Sequence, residues 1–290
     1  MSNKKIAILG GDKRSLELIN LLLDDNNLVS IFGFDKISED LRIKQGKTLE
    51  EVIKGSNIII GPLPFSENDK LNTPFSDKKI NLDSILNLID KDQLLLGGKI
   101  NKEFINKCKK KNINIIDYFN REEMQILNAI PTAEGAISIA IEGLPITISG
   151  SNALVLGYGR IGKVLSKMLY GIGANTYVAA RKKSDLAWIT INGYKSIDLK
   201  NLYCNLSQMN IVFNTIPSLI LKEKELSNLN KNTLIIDVAS KPGGVDFIKA
   251  EEMGLKVNWA LGLPGKVAPI TAANAIKKTI YNIIEEKERL

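Results

Sequence analysis

Short apolar runs of strand length alternate along the chain with segments of helical period. In the first 128 residues the runs are Ile6–Leu9, Leu28–Phe34, Ile58–Ile60, Leu94–Leu96 and Ile113–Asp117. Between them, apolar side chains recur every three or four residues, as at Leu16, Ile19, Leu22 and Leu23, which is typical of an amphipathic helix. Alternation of this kind predicts an α/β fold with a parallel sheet.

The same alternation continues in the second half of the chain. Its apolar runs are 153–156, 175–180, 210–216, 234–239 and 256–261, and a long helical segment follows at 271–286. Between the two halves, Pro131 is expected to end one segment and Thr132 to cap a connecting helix of small and apolar residues. Thr132 and Glu134 would then lie between two domains.

These patterns predict two Rossmann-like parallel-sheet domains with a cleft between them. The first would comprise residues 1–128, completed by the linker helix 131–148 and the C-terminal helix 270–289. The second would comprise residues 150–262. The tract Phe65–Asp83 is polar and irregular, and we interpret it as a possible lid.

The sequence Gly157-Tyr158-Gly159-Arg160-Ile161-Gly162 directly follows the strand 153–156 and opens a helical segment. In this setting G-x-G-x-x-G is typical of dinucleotide binding, because the glycines permit a tight turn, a close approach to pyrophosphate and tight helix packing. The ends of two later strands should complete the cofactor site, through Thr215, Ile216, Pro217 and Val238. The alternative is a plain glycine turn between two core elements.

The end of the next strand indicates which dinucleotide binds. NAD sites usually have an acidic residue there, whereas this chain has Ala180-Arg181-Lys182-Lys183-Ser184. A small residue leaves room for a 2′-phosphate, and arginine binds phosphate bidentately. The prediction is NADP, and the alternative is a solvated basic turn.

Composition excludes several classes of chemistry. The chain has no histidine and only two cysteines, which excludes a histidine acid–base group and histidine-ligated zinc. The net charge of +7 is spread over short clusters without interleaved aromatic residues, so it favours an anionic small molecule over nucleic acid. No apolar run is long enough to span a membrane, and the first residues lead directly into a strand, so a cytoplasmic protein is expected.

Two cations follow strands of the first sheet. Arg14 lies in the loop Gly10–Arg14 and Lys99 follows Gly97-Gly98. Both should lie at the carboxyl edge of the sheet, where open α/β sheets bind ligands, and Arg14 could bind a carboxylate. A surface basic pair at a helix start is the alternative.

Six segments resemble the family formed by the A-subunit of dipicolinate synthase from endospore-forming bacteria. They are ILGGDKR (8–14), IPTAEGAI (130–137), LGYGRIG (156–162), VAARKKS (178–184), IIDVASKPGGVD (235–246) and GLPGKVAPITAA (262–273). The resemblance implies NADP-dependent oxidation of 4-hydroxy-tetrahydrodipicolinate, with loss of water, to pyridine-2,6-dicarboxylate. It also implies a flavoprotein-like partner, the B-subunit of dipicolinate synthase, and the mother-cell cytoplasm during sporulation. A homo-oligomer is possible.

A dicarboxylate substrate would require cationic contacts. With Arg14 and Lys99, the expected substrate-binding residues are Thr132, Ser240 and Lys266. The candidate proton carriers are Lys241, Asp237 and Glu134, and no spacing in the sequence chooses among them. Two alternatives remain, namely a non-catalytic NADP-binding subunit of a two-subunit oxidoreductase and another histidine-free NADP-dependent dehydrogenase.

Overall fold

The computed structural model describes residues 2–35 and 43–289. The strands are β1 Lys5–Leu9, β2 Leu28–Phe32, β3 Lys44–Gln45, β4 Ile58–Ile60, β5 Ser66–Glu67, β6 Lys70–Leu71, β7 Leu94–Gly97, β8 Asn114–Asp117, β9 Asn152–Leu156, β10 Asn175–Ala180, β11 Lys195–Asp198, β12 Ile211–Asn214, β13 Leu234–Asp237 and β14 Lys256–Trp259. The α-helices are α1 Lys13–Asp24, α2 Leu49–Lys54, α3 Leu82–Leu88, α4 Lys102–Lys110, α5 Glu122–Gly143, α6 Arg160–Gly171, α7 Lys183–Ile191, α8 Glu223–Leu226, α9 Phe247–Glu252, α10 Leu263–Val267 and α11 Pro269–Glu288. Two 3₁₀ segments span Tyr118–Asn120 and Leu199–Gln208.

The chain divides into two compact units. Unit 1 comprises the residues up to 127 together with those from 268 onward, and unit 2 comprises 128–267. The main sheet of unit 1 has the strand order β3-β2-β1-β4-β7-β8, and its pairs are parallel. The sheet of unit 2 has the order β11-β10-β9-β12-β13-β14, also parallel. Both follow the 3-2-1-4-5-6 order of a Rossmann fold, so the predicted pair of Rossmann-like parallel-sheet domains is confirmed.

The central strands are apolar throughout because helices cover both faces of each sheet. In β1, Ile6 and Ile8 belong to a buried cluster with side chains of α1 and α11, whereas Ala7 and Leu9 belong to the cluster on the other face. In β9, Ala153 and Val155 pack on one side and Leu154 and Leu156 on the other. The period-2 geometry of a strand divides a continuous apolar run between two cores in this way.

The connecting helix differs from the prediction. Helix α5 begins at Glu122, passes through Pro131 and ends at Gly143, so Thr132 lies inside the helix instead of capping it. Proline lacks the N–H that would continue the helical ladder, and the Thr132 hydroxyl donates instead to the Asn128 carbonyl, at 2.8 Å. Residues 128–143 also fall within unit 2, whereas the sequence assigned the linker helix to the first domain.

The tract predicted to be irregular contains a short hairpin. Strands β5 and β6 pair antiparallel through Ser66–Leu71 and Glu67–Lys70. Phe65 and Leu71 are buried in the core of unit 1, which is a packing role and leaves the lid interpretation without structural support.

Candidate dinucleotide site and strand-edge residues

The glycine loop after β9 has the geometry that the fingerprint requires. Gly157 has φ +98°, and its N–H donates to the Ala179 carbonyl at 2.9 Å. A Cβ at Gly162 would lie 2.1 Å from the Gly157 carbonyl oxygen. Only glycine at both positions therefore allows α6 to start so close to β9.

The space in front of this loop is open. A Cβ at Gly159 would meet nothing within 4 Å, and Gly159 is the N-cap of α6 without a side-chain cap. The first helical bond runs from the Lys163 N–H to the Gly159 carbonyl, at 2.9 Å, so the N–H groups of Ile161 and Gly162 precede it. An uncapped helix N-terminus that a ligand can approach favours phosphate binding.

The two variable positions of the motif do not obstruct this approach. The Tyr158 hydroxyl accepts a hydrogen bond from Asn192 Nδ2 at 3.3 Å, and partial burial raises the pKa of the phenol. Tyr158 and Ile161 pack against the core of unit 2, and Arg160 is exposed.

The turn between β10 and α7 contains the predicted phosphate residues. Ala180 is buried at the end of β10, whereas Arg181 and Lys182 are exposed. Lys182 is the N-cap of α7 and provides no side-chain cap. Lys183 forms an ion pair with Asp198 at 2.7 Å, so two of the three consecutive cations remain for a ligand, beside a second uncapped helix start.

The ends of β12 and β13 are joined by a buried network that sequence reasoning missed. Asn214 Nδ2 donates to Asp237 Oδ1 at 2.9 Å and to the Ile216 carbonyl at 3.0 Å. Asp237 also accepts the N–H groups of Ala239, at 2.9 Å, and Gly244, at 2.7 Å. Both side chains are fully buried.

This network changes the interpretation of Asp237. A carboxylate that is fully buried and accepts three hydrogen bonds holds its loop and has no access to a substrate. The burial argues against the expected proton-transfer role of Asp237. The sequence signal that could have found its partner is a polar Asn214 at the end of an otherwise apolar strand.

The neighbouring cofactor candidates are placed beside the glycine loop. The Thr215 hydroxyl donates to the Leu156 carbonyl at 2.8 Å, and a Cβ on Gly157 would contact both Thr215 and Ile216. Pro217 is exposed. The Val238 N–H donates to the Asn214 carbonyl at 2.9 Å.

The other unit 2 candidates differ in exposure. Four of them are exposed, namely Glu134, Ser240, Lys241 and Lys266. Thr132 is 6% exposed and its hydroxyl donates to a helix carbonyl, so the structure does not present it to a ligand.

The two cations of unit 1 lie at the carboxyl edge of its sheet, as expected. Arg14 is buried at the start of α1, where its Nε and Nη2 donate to the Asp12 carboxylate at 2.8–3.2 Å. Nη2 also donates to the Leu63 carbonyl. Arg14 is therefore already paired, which argues against a direct carboxylate clamp and for a role in joining two loops.

Lys99 is exposed and lies near Arg14. Its ammonium is 5.0 Å from the centre of the Phe119 ring. Desolvation, and then the charge of Arg14, lower the pKa of Lys99 despite the opposing charge of Asp117. Asp12 and Asp117, which position these two cations, were not predicted, although Asp12 is a typical helix N-cap.

Two absences are observed for the ranges 2–35 and 43–289. No group of three or more Cys, Asp or Glu side chains there could hold a metal ion. No helix there is long and apolar enough to cross a membrane.

The sheet order and the glycine loop define a Rossmann-type α/β protein with the dehydrogenase fold. A crystal structure of transhydrogenase from Sinorhizobium meliloti has TM-score 0.70 and 14% identity, covering 97% of this chain and 94% of that chain. At that identity the match shows the fold alone.

Closer comparisons identify the family. The model of the N-terminal domain of the dipicolinate synthase A-subunit matches residues 5–119. The A-subunit of dipicolinate synthase from Bacillus subtilis (strain 168) is 33% identical over 289 residues, which cover 99% of this chain and 97% of that protein. The crystal structure of the corresponding protein from Bacillus halodurans has TM-score 0.89 and 32% identity, covering 97% of this chain and 98% of that chain. The chain belongs to the dipicolinate synthase A-subunit family.

Proposed function

We propose that the chain is an NADP-dependent oxidoreductase that converts 4-hydroxy-tetrahydrodipicolinate, with loss of water, to pyridine-2,6-dicarboxylate. The observation on which this proposal rests is the open, uncapped start of α6 at Gly159, followed by the basic, uncapped start of α7. Membership of the family supports the substrate, because the related proteins are named for the synthesis of dipicolinate.

The residues present fit a phosphorylated dinucleotide. The main-chain N–H groups at the start of α6 would bind the pyrophosphate, and Arg181 with Lys182 would bind the 2′-phosphate. NADP, when bound, supplies the hydride acceptor of the reaction. Thr215, Ile216 and Val238, at the ends of β12 and β13, would line the nicotinamide side.

The substrate is a dianion, so exposed cations are the groups that would bind it. Lys99 in unit 1, and Lys241 and Lys266 in unit 2, are exposed. Ser240 adds a hydroxyl donor beside Lys241. Arg14 would contribute positive potential and loop geometry, because its guanidinium is paired with Asp12.

The oxidation also releases a proton. Lys241 and Glu134 remain candidates to accept it, because both are exposed. Lys241 is favoured, since it lies on the loop that Asp237 fixes from beneath.

The related proteins are named as one lettered component of a synthase, which supports a partner chain. We propose the B-subunit of dipicolinate synthase, a flavoprotein-like chain, and the mother-cell cytoplasm of a sporulating cell as the setting. A homo-oligomer is compatible with this proposal. The alternative of a non-catalytic NADP-binding subunit is favoured by the absence of histidine.

The deciding experiment is turnover of the purified chain. Formation of NADPH at 340 nm would be followed with NADP and substrate, with and without the B-subunit. NADPH formation by the chain alone supports the proposal. Formation that requires the B-subunit supports the non-catalytic alternative, and absence of NADPH in both reactions excludes both.

A further inference from the structure

Lys99 adopts a backbone conformation that is unusual for a lysine. Its φ is +54°, in the left-handed region that non-glycine residues seldom occupy, at a cost of about 1–3 kcal/mol. Such outliers cluster at functional sites, where the surrounding structure fixes them. Gly97 and Gly98 directly precede Lys99, yet the third residue of this turn is not glycine.

Asp117 fixes this conformation from the neighbouring strand. Its Oδ1 accepts the Lys99 N–H at 3.1 Å and its Oδ2 accepts the Ile100 N–H at 2.9 Å. The same carboxylate accepts the Phe119 N–H at 2.9 Å. One side chain therefore orients both the backbone of Lys99 and the ring under its ammonium.

The charges around the Lys99 ammonium disfavour its protonated form. Arg14 faces it from the start of α1, with Asp12 as the partner of that guanidinium, and Asp117 faces it from the end of β8. Within the described ranges, no carboxylate forms an ion pair with Lys99. Among the lysines there for which a shift is resolved, Lys99 alone has a lowered pKa. A neutral amine at this edge can act as a base.

We propose that Lys99 is the catalytic base of the dehydration half of the reaction, and that this half occurs at the sheet edge of unit 1 without the dinucleotide. The proposal rests on the proposed function. The substrate has a ring carbon between the imine carbon and the hydroxyl-bearing carbon, and the imine acidifies its C–H bond.

The step is balanced without an oxidant. The Lys99 amine takes the proton from that carbon, and the C–H electron pair becomes a C=C bond conjugated with the imine. The bond from the next carbon to its hydroxyl breaks, and the leaving hydroxide takes the proton back from the Lys99 ammonium as water. The product is dihydrodipicolinate, which is the species that loses hydride in the oxidation.

The test uses the full chain without NADP and freshly prepared 4-hydroxy-tetrahydrodipicolinate. Water loss is followed by ultraviolet absorption of the conjugated product and corrected for the rate in buffer. The wild type is expected to accelerate it, increasingly as pH rises toward the pKa of Lys99. Lys99→Arg keeps the charge but cannot act as a base, and should lower the catalysed rate by roughly 10²- to 10⁴-fold. Lys102→Arg, an exposed lysine on the same segment, should change nothing.

Two further measurements separate base catalysis from a structural role. In D₂O, the wild type should exchange the acidified C–H of the substrate, as seen by proton NMR, and Lys99→Arg should not. Added ethylamine should partly restore dehydration by Lys99→Ala, and more so at higher pH.

Wild-type rates in Lys99→Arg would overturn the inference. So would a wild type that forms NADPH from dihydrodipicolinate but does not accelerate water loss, a result that leaves the proposed oxidation intact. A wild type that catalyses neither reaction would overturn both.

Discussion

The Asn214 amide and the Asp237 carboxylate form a buried hydrogen bond of 2.9 Å that joins the ends of β12 and β13. Each also binds the main chain of the loop that follows its own strand. This pair fixes the segments 214–217 and 237–244, on which the proposed nicotinamide side and Lys241 depend.

Asp237→Asn should destabilise the protein. The new amide group would face either the Gly244 N–H or the Asn214 amide, placing donor against donor, and the charge-assisted bonds would be lost. We expect a loss of about 2–3 kcal/mol in the free energy of unfolding, measured by urea denaturation. Glu251→Gln, at an exposed position, is the control. Equal stability of Asp237→Asn and wild type would contradict the assigned role.

The glycines of the loop should separate into two kinds. Gly162→Ala places a Cβ 2.1 Å from a backbone oxygen, so it should lower both thermal stability and NADP affinity. Gly159→Ala meets no protein atom within 4 Å, so it should fold normally and lose NADP affinity alone. Gly171→Ala, in the same helix and with equally open surroundings, should bind NADP normally. Unchanged NADP titration of Gly159→Ala would place the pyrophosphate elsewhere.

The sequence predicted the two sheets and this loop because both depend on local patterns. Continuous apolar runs identify buried strands, and three glycines at fixed spacing identify the turn. It did not predict the partners of Asp12, Asp117 and Asp237, because main-chain N–H groups accept any conformation-compatible carboxylate and leave no trace in residue identity. Thr132 was misassigned for a related reason, since a proline followed by threonine indicates a helix start unless preceding residues already form the helix.

Arg181 should determine the preference for NADP. A charge-assisted hydrogen bond contributes roughly 1.5–3 kcal/mol, so Arg181→Ala should weaken NADP binding by about ten- to a hundredfold and leave NAD binding almost unchanged. Lys183→Ala is the matched control, because Lys183 is paired with Asp198. Calorimetric titration with both cofactors gives the comparison. Equal losses for the two cofactors would show that Arg181 supports the fold and not the phosphate.

Asp25 should make stability depend on pH. Desolvation acts to raise its pKa, but hydrogen bonds from Tyr281, at 2.6 Å, and Lys277, at 2.9 Å, hold the pKa below its ordinary value. A carboxylate with a depressed folded-state pKa stabilises the fold above its unfolded pKa, and the stabilisation disappears as pH falls through the folded value. Asp25→Asn should therefore cost about 1–2 kcal/mol at pH 7 and little below about pH 3.

Urea unfolding of wild type and Asp25→Asn at a series of pH values measures this difference. The exposed Asp92→Asn substitution serves as the control. Because Asp25 follows α1 while Tyr281 and Lys277 lie on α11, the result also measures how α11 completes unit 1. A gap between Asp25→Asn and wild type that stays constant down to acid pH would exclude an ionised Asp25 as its source.

Lys241 should affect turnover more than binding. Its loop is held by Asp237 and by the indole of Trp259, whose Nε1 donates to the Ala239 carbonyl at 3.1 Å, while Lys241 itself is exposed. If the amine accepts the proton released in the oxidation, Lys241→Arg keeps the charge but removes the base. Its kcat for NADPH formation from dihydrodipicolinate should then fall by roughly 10²- to 10⁴-fold with little change in KM. Lys266→Ala should instead raise KM, since it removes a cation that binds a carboxylate. If Lys241→Arg retains kcat and Lys241→Ala raises KM, the ammonium binds the substrate and Glu134 becomes the remaining candidate to accept the proton.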